Sequence, residues 1–319
     1  MTKRRYIINF VVVIVLAVVS GYFIGSYIAG GRLVALSNTY NELGLRGITD
    51  VKDVPTYYSQ LPQSYLNNIV TMAEGKTPDK LTAINAFLVA EYKTNTSSTV
   101  HKTTSGVIKA KAMGLNVNQK LLSVKTKQDG KIYLDKVSYS SMAKVAVKVE
   151  HTLNTDTYAY YKGTANENLT ASWGKPTNKP VSDYRGTFGS GLDYFTNYLI
   201  TPSTVLDSQT SKVTKHTVKE YNEYFVEGKN YYKFSLALDI RVDETTGDFI
   251  YGGVSNYMYE IRTTASAENF PVFYYCNLNV IVDDEFRLVQ VDVDENYQIV
   301  TYGFNANTTG DIVEMYRYN

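Results

Sequence analysis

The spacing of apolar and polar positions changes several times along the chain, and each change marks an element. From Tyr6 to Gly31 there is no acid or base, and most positions are Val, Ile, Leu, Ala, Phe or Gly. A helix rises about 1.5 Å per residue, so residues 6–29 would reach roughly 36 Å, enough to cross a ~30 Å hydrocarbon core with some tilt. Two shorter helices are predicted next. One runs from Gln63 to Ala73. The other opens at Thr77-Pro78-Asp79-Lys80, with Thr77 as N-cap and an apolar stripe through Leu81, Ile84, Phe87, Leu88 and Tyr92.

From Thr99 the period becomes two. Ile108 and Ala110 alternate with Lys109 and Lys111, and Leu122, Val124 and Thr126 alternate with Ser123, Lys125 and Lys127. Asp129-Gly130 supplies the two positive-φ residues of a tight hairpin. Val145, Val147 and Val149 then stand opposite Lys144, Lys148 and Glu150, and Tyr158–Lys162 closes this run. Residues 163–187, with three glycines, two prolines and Trp173, read as a long loop, and Gly191 to Ile200 reads as an apolar helix stopped by Pro202. Strands over Thr214–Val226 and Tyr231–Val242 follow, joined across Glu227-Gly228-Lys229-Asn230, then a helix near Val254–Thr264. A hairpin over Asp283-Asp284-Glu285 places Val289, Val291 and Val293 inwards and Gln290, Asp292 and Asp294 outwards; a last strand runs from Ile312 to Tyr318.

One-sided alternation over so many strands predicts a sheet with one covered face and one wet face. The expected fold is therefore α+β: an N-terminal transmembrane helix, then a large curved antiparallel sheet covered on one face by a few helices. The expected organisation is a cytoplasmic tail (1–5), a transmembrane anchor (6–29), a juxtamembrane stalk and helix (30–74) and an extracytoplasmic β-rich domain (75–319).

Charge gives the anchor its direction. Lys3, Arg4 and Arg5 precede the apolar run and only Arg32 follows closely, so the N-terminus is expected in the cytoplasm and the main domain outside the cell membrane. A cleaved signal peptide shares this pattern, but the run is long for one, and no clean A-x-A site lies near Ala29. Ala17, Gly21, Gly25 and Ala29 share one helix face and would allow close helix–helix contact, as in a homodimer. Net charge is +1, from 32 Lys and Arg against 31 Asp and Glu, which gives nucleic acid no field to follow. The single cysteine, Cys276, excludes an internal disulfide framework and suits a bacterial envelope protein. The 29 tyrosines fit half-buried sheet surfaces.

Candidate chemistry is sparse. His101, His151 and His216 form no metal-binding spacing and read as surface or edge-strand residues, while Cys276 reads as a small buried hydrophobe. Gly189-Ser190-Gly191 lacks the first glycine of a nucleophile elbow, with Phe188 in its place. No catalytic residue and no cofactor is therefore assigned. Asp283, Asp292 and Asp294 are the one acidic grouping that would suit Ca²⁺, though without EF-hand spacing, and acids on a wet face are ordinary.

The order of helix, long meander, short helices and closing hairpins is carried by Thr99–Ser140, with its Ser105-Gly106 opening, and by Phe270-Pro271-Val272-Phe273 through Asp294-Glu295-Asn296-Tyr297. Over roughly residues 75–319 it resembles the lipoprotein-carrier fold of the LolA and LolB proteins and the LppX/LprG-type mycobacterial lipoproteins. That resemblance implies a half-barrel sheet with helices plugging its concave face. None of that family's binding residues can be matched here position by position, and a helical anchor argues against free shuttling. The expected function is a tethered, non-enzymatic binding module holding a lipid or apolar ligand on a concave sheet face, with Phe188, Leu192, Phe195 and Leu199 as ligand-side cover. The alternative is a structural or assembly protein of the cell envelope acting through protein–protein contacts.

Overall fold

In the computed structural model, residues 40–45, 48, 53–112, 114–216, 223–240, 252–265, 267–301 and 303–318 are described. The expected anchor, with Ala17, Gly21, Gly25 and Ala29, lies outside them. Among the described residues no helix is long and apolar enough to cross a membrane.

The strands are β1 (Val100–Ala112), β2 (Leu115–Gln128), β3 (Lys131–Tyr139), β4 (Lys144–Thr152), β5 (Thr157–Ala165), β6 (Ala171–Trp173), β7 (Thr177–Pro180), β8 (Thr214–His216), β9 (Tyr231–Ala237), β10 (Val272–Asp283), β11 (Leu288–Thr301) and β12 (Phe304–Arg317). They form one open antiparallel sheet in the order β6-β5-β4-β3-β2-β1-β12-β11-β10-β9-β8, with β7 sharing the free edge of β5. The join between the halves is β1 against β12, from His101 opposite Arg317 to Lys111 opposite Asn307. The last strand of the chain is thus a central one. Asp129 (φ 53°) and Gly130 (φ 71°) both take positive φ and turn β2 into β3 with Gln128 opposite Lys131, as their sequence predicts.

The helices lie on one face. Among the described residues, those with defined bounds are α1 (Gln63–Ala73), α2 (Ala83–Thr96), α3 (Ser182–Phe188) and α4 (Ser255–Ala265). The predicted first helix matches α1, and α4 lies where a helix was expected. The second begins later than predicted: Pro78–Lys80 is a single 3-10 turn, and α2 is capped by Thr82, whose hydroxyl accepts from the Asn85 amide. Phe87 and Ala90 of α2 pack into the main core against the sheet, while Val89 packs with Ile69 of α1. Of the span expected as stalk and helix, residues 53–73 are packed on the body, with Tyr58, Leu66 and Ile69 buried.

Tyr257 of α4 touches Glu295 on β11, and Glu260, one turn later, touches Lys136 on β3. Those strands stand four places apart, about 19 Å in a flat sheet at ~4.8 Å per strand. The sheet bends around the helix to bring both within reach, giving a half-barrel.

Four expectations fail. Gly191 to Ile200 is not helical but a turn and extended chain, and the presumed loop 163–187 contains β6, β7 and α3. Val289 sits where the β10–β11 register shifts and packs with Ile281, Tyr231 and Phe225 in a separate cluster, although Val291 and Val293 do face the main core. On β2 the period is right but the face is reversed: Ser123, Lys125 and Lys127 are buried and Val124 is exposed.

Candidate functional site

The reversal on β2 makes sense once the cover is considered. After α3 the chain crosses the concave face without helical hydrogen bonds, so its amides and carbonyls need partners from elsewhere. Leu192 N donates to Thr56 O, Leu199 N to Gly253 O and Phe195 N to Asn95 Oδ1. The sheet serves the carbonyls. Lys125 Nζ donates to Tyr194 O at 2.6 Å, and the Tyr316 hydroxyl lies 3.2 Å from Phe195 O and 2.6 Å from Glu314 Oε2, while Lys127 Nζ donates to Asn95 O at the end of α2. Arg185, 1% exposed, holds Gly189 O at 3.0 Å and Pro55 O at 2.6 Å and stacks on the Tyr194 ring. Gly189 has φ +80°, and a Cβ there would stand 1.9 Å from Asn256 O, so only glycine fits this approach.

Two buried ion pairs complete the polar interior. Lys102 Nζ lies 2.6 Å from Glu314 Oε1, and Lys136 Nζ lies 2.9 Å from Glu260 Oε1. Asn197 also donates to Glu260 and itself accepts from Ser190, so the Ser190 hydroxyl is engaged with an amide rather than with a base. Burial disfavours the Glu260 charge, but Lys136 and Lys102 outweigh it and hold the carboxyl below the ordinary glutamate value. Groups lacking such partners shift the other way. Burial drives Lys125 down to about 7, Glu91 up to about 7 and Glu295 up to about 8. Thr196 donates to Glu91, and the Tyr257 hydroxyl to Glu295 Oε1 at 3.2 Å, while Glu295 Oε2 has no partner.

Among the described residues, the cover fills most of the concave face. A cleft remains where α4 leaves the sheet, lined by Ile108, Ala110, Leu121, Ile261, Ala265 and Ile299. Gln119, Tyr297 and Thr308 also border it, as do the paired Lys136 and Glu260. About 460 Å³ there is free of atoms, open mouth included. An acyl chain seated here would have to displace side chains of α4 from the sheet. A second gap, of about 380 Å³, lies beneath the cover among Lys102, Ser123, Lys125, Ser190 and Asn197.

The predicted cover residues are all buried on the concave side but do not converge. Phe188 and Leu192 pack against β3, β4 and β5, Phe195 joins the main core, and Leu199 packs with Tyr40, Leu43 and Val54. Of the acidic group, Asp283 lies near Asp284 and Glu285 instead of Asp292 and Asp294. Both of its oxygens are used: Oδ1 accepts from the Glu285 and Arg287 amides, and Oδ2 from the Arg287 guanidinium at 2.7 Å. Asp292 accepts from Gln290, and Asp294 from the Tyr275 hydroxyl. His151 is buried, not a surface residue. Its Nδ1 donates to Thr157 O and its Nε2 lies 2.8 Å from the Tyr57 hydroxyl oxygen, and burial lowers its pKa, which favours the neutral ring. Cys276 is buried, as expected, and burial pushes its thiol well up.

Sequence reasoning missed Lys125, Lys127, Lys136 and Glu295 as interior groups, and missed α4 as a wall of the cleft. The one local signal was the lysine-bearing register of β2 itself, which reads equally well with either face inwards.

No family model matches the chain, and no curated protein does. Among solved structures, a DUF1329 family protein from Desulfovibrio piger is 13% identical, over 76% of this chain and 94% of that one, at a TM-score of 0.24. A beta-barrel-like DUF1849 protein from Brucella abortus is 5% identical, over 69% and 98%, at 0.18. MucB, solved in complex with MucA(peri), is 6% identical, over 71% and 92%, at 0.12. At TM-scores this far below 0.5, none of them defines the fold or function of this chain.

Proposed function

We propose that the chain is a membrane-tethered, extracytoplasmic and non-enzymatic binding module that takes the apolar chain of an amphiphile between α4 and strands β1, β2, β11 and β12. The carrying observation is the cleft itself, apolar on both walls and bordered by the paired Lys136 and Glu260. Concave apolar sites with a few convergent polar groups are the usual small-molecule sites. The apolar run at 6–29, with basic residues before it, supports the tether. The cleft is narrow, so binding is coupled to opening: α4 moves outwards as the chain enters.

Amide exchange tests this on the full-length protein in lipid nanodiscs, titrated with decanoate. Exchange at Ser255–Ala265 and around Ile108–Ala110 should change saturably with ligand, and Ala265→Trp, which fills the cleft, should abolish the response. An exchange pattern indifferent to decanoate would remove the proposal.

A second reading, docking of a protein partner, is favoured by one feature: an open groove with about 1450 Å³ free of atoms, solvent side included, bordered by Tyr57, Gln60, Leu153, Asp156, Pro180 and Ser182. Charge reversal at Asp156 should then weaken a partner complex recovered from membranes while leaving the decanoate response intact.

A further inference from the structure

A buried polar atom without a partner gives up its hydration for nothing, so folded proteins hold few of them. Among the described residues there are eight, and four of these belong to side chains lining one cavity: the Tyr58 hydroxyl, the Tyr194 hydroxyl, Arg185 Nε and Asn256 Oδ1. All four side chains are more than nine-tenths buried. Tyr58 comes from the 3-10 turn Tyr58–Gln60 ahead of α1, Arg185 from α3, Asn256 from the first turn of α4, and Tyr194 from the extended cover. Glu91 of α2 also borders the cavity. About 420 Å³ there is free of atoms, open side included.

The charges at this cavity do not balance. Lys102 and Lys136 each have a carboxylate at ion-pair distance, whereas Arg185 has the carbonyls of Gly189 and Pro55 and the Tyr194 ring. Asp193 acts on Arg185 without forming an ion pair, and its Oδ1 accepts from the Tyr58 amide at 2.8 Å. The Arg185 charge also acts on the Tyr194 phenol, yet neither that hydroxyl nor Nε completes a hydrogen bond. Glu91 accepts from Thr196, and burial raises its pKa to about 7, so below that it adds no negative charge. Burial pushes the Tyr58 and Tyr194 phenols up as well, so both stay hydroxyl donors.

The unpartnered atoms are therefore three donors, one of them on a cation, beside one acceptor. A buried cation without a counterion is costly, and an anion that accepts from these donors relieves that cost. Leu43, Val54, Leu61 and Ile200 make much of the remaining wall apolar. That wall favours a single carboxylate on a short aliphatic chain over the more strongly hydrated sulfate or phosphate. The lone acceptor, Asn256 Oδ1, suits a water entering with it.

We infer that this cavity binds a small aliphatic carboxylate, with Arg185 Nε and the Tyr58 and Tyr194 hydroxyls donating to its oxygens. It is a second site: it shares no lining residue with the cleft between α4 and the sheet, and it does not depend on that cleft being filled.

Thermal unfolding of the full-length protein in nanodiscs at pH 6, where Glu91 keeps its proton, tests this with sodium butyrate, chloride and sulfate at matched ionic strength. Butyrate should raise the melting temperature saturably, and chloride and sulfate should not. Removing Arg185 would also free the carbonyls of Gly189 and Pro55, so the informative variants are Tyr58→Phe and Tyr194→Phe, which delete one hydroxyl and keep the ring. Without ligand each should be at least as stable as the parent, since an unpartnered group is gone. Their half-saturating butyrate concentration should rise about ten-fold, the loss of one hydrogen bond to a charged group. A shift no larger with butyrate than with chloride would mean that ordered water completes the cavity, and would overturn the proposal. Half-saturation unchanged in both tyrosine variants, or unliganded variants less stable than the parent, would overturn it too. A larger shift with sulfate would overturn the carboxylate assignment. Ala265→Trp, which fills the cleft, should leave the butyrate response intact; its loss there would overturn the proposal by moving butyrate to the cleft. A butyrate response that persists where decanoate gives none would remove the cleft reading alone.

Discussion

Replacing Glu295 by Gln should stabilise the protein increasingly as pH rises. Glu295 is 0% exposed; Oε1 receives a single hydroxyl, and Oε2 receives nothing. Burial, reinforced by the negative charges of Glu260, Asp294 and Glu314, lifts its pKa from the ordinary 4.5 to about 8. Below 4.5 the group is protonated in both the folded and unfolded chains and has no effect. Between 4.5 and 8 the unfolded chain releases a proton that the folded one keeps, so stability falls as pH rises through this window. At roughly 1.4 kcal/mol per pH unit, the gap corresponds to about 3 kcal/mol at pH 7 and about 5 kcal/mol above pH 8. Glutamine has the same shape, still accepts from Tyr257 and cannot ionise. Urea unfolding followed by far-UV circular dichroism at pH 4, 7 and 8.5 should show curves that coincide at pH 4 and separate progressively above it. Glu91, raised to about 7, loads both proteins alike and cancels in the difference. A separation independent of pH, or a variant less stable than the parent at pH 8.5, would refute the reasoning.

Gly310→Ala would put a Cβ 2.2 Å from Glu295 Oε1 and should cost about 1–3 kcal/mol by overpacking. In a Glu295→Ala background most of that loss should vanish, and additive losses would contradict the contact. Gly130→Ala meets no atom within 4 Å, so its φ of +71° alone sets a cost of about 1 kcal/mol in the same unfolding assay; no loss would argue against the positive-φ turn. Millimolar Ca²⁺ should leave the melting temperature unchanged, because both Asp283 oxygens are already held by Arg287 and neighbouring amides. A rise that grows with Ca²⁺ concentration would restore a metal site there.

Much of the fold was legible because its signals are local. Asp129-Gly130 encodes its own turn, α1 spans the predicted residues, and Val291 and Val293 face the core as their alternation predicts. What was not legible depends on partners far along the chain. Lys125 is buried because Tyr194 O, 69 residues on, lacks a helical donor, and Tyr194 O lacks one because Gly191–Ile200 runs extended over the sheet. Neither fact can be read without the other, so the apolar helix expected at 191–200 and the outward lysines expected on β2 were wrong together. The same holds for the site. Phe188, Leu192, Phe195 and Leu199, expected to cover one ligand site, are buried in three separate clusters, and the cleft is built by α4 and two hairpins whose lining residues alternate like any other strand.

The central claim is that an apolar chain enters between α4 and the sheet. Its most direct test is to incubate membranes containing the full-length protein with a photoactivatable fatty acid, irradiate them, and map the adducts by peptide mass spectrometry. The account predicts adducts on segments bearing Ile108 and Ala110, Ile261 and Ala265, or Ile299, lost in Ala265→Trp. Adducts confined to residues 6–29, with the cleft segments unmodified, would contradict it.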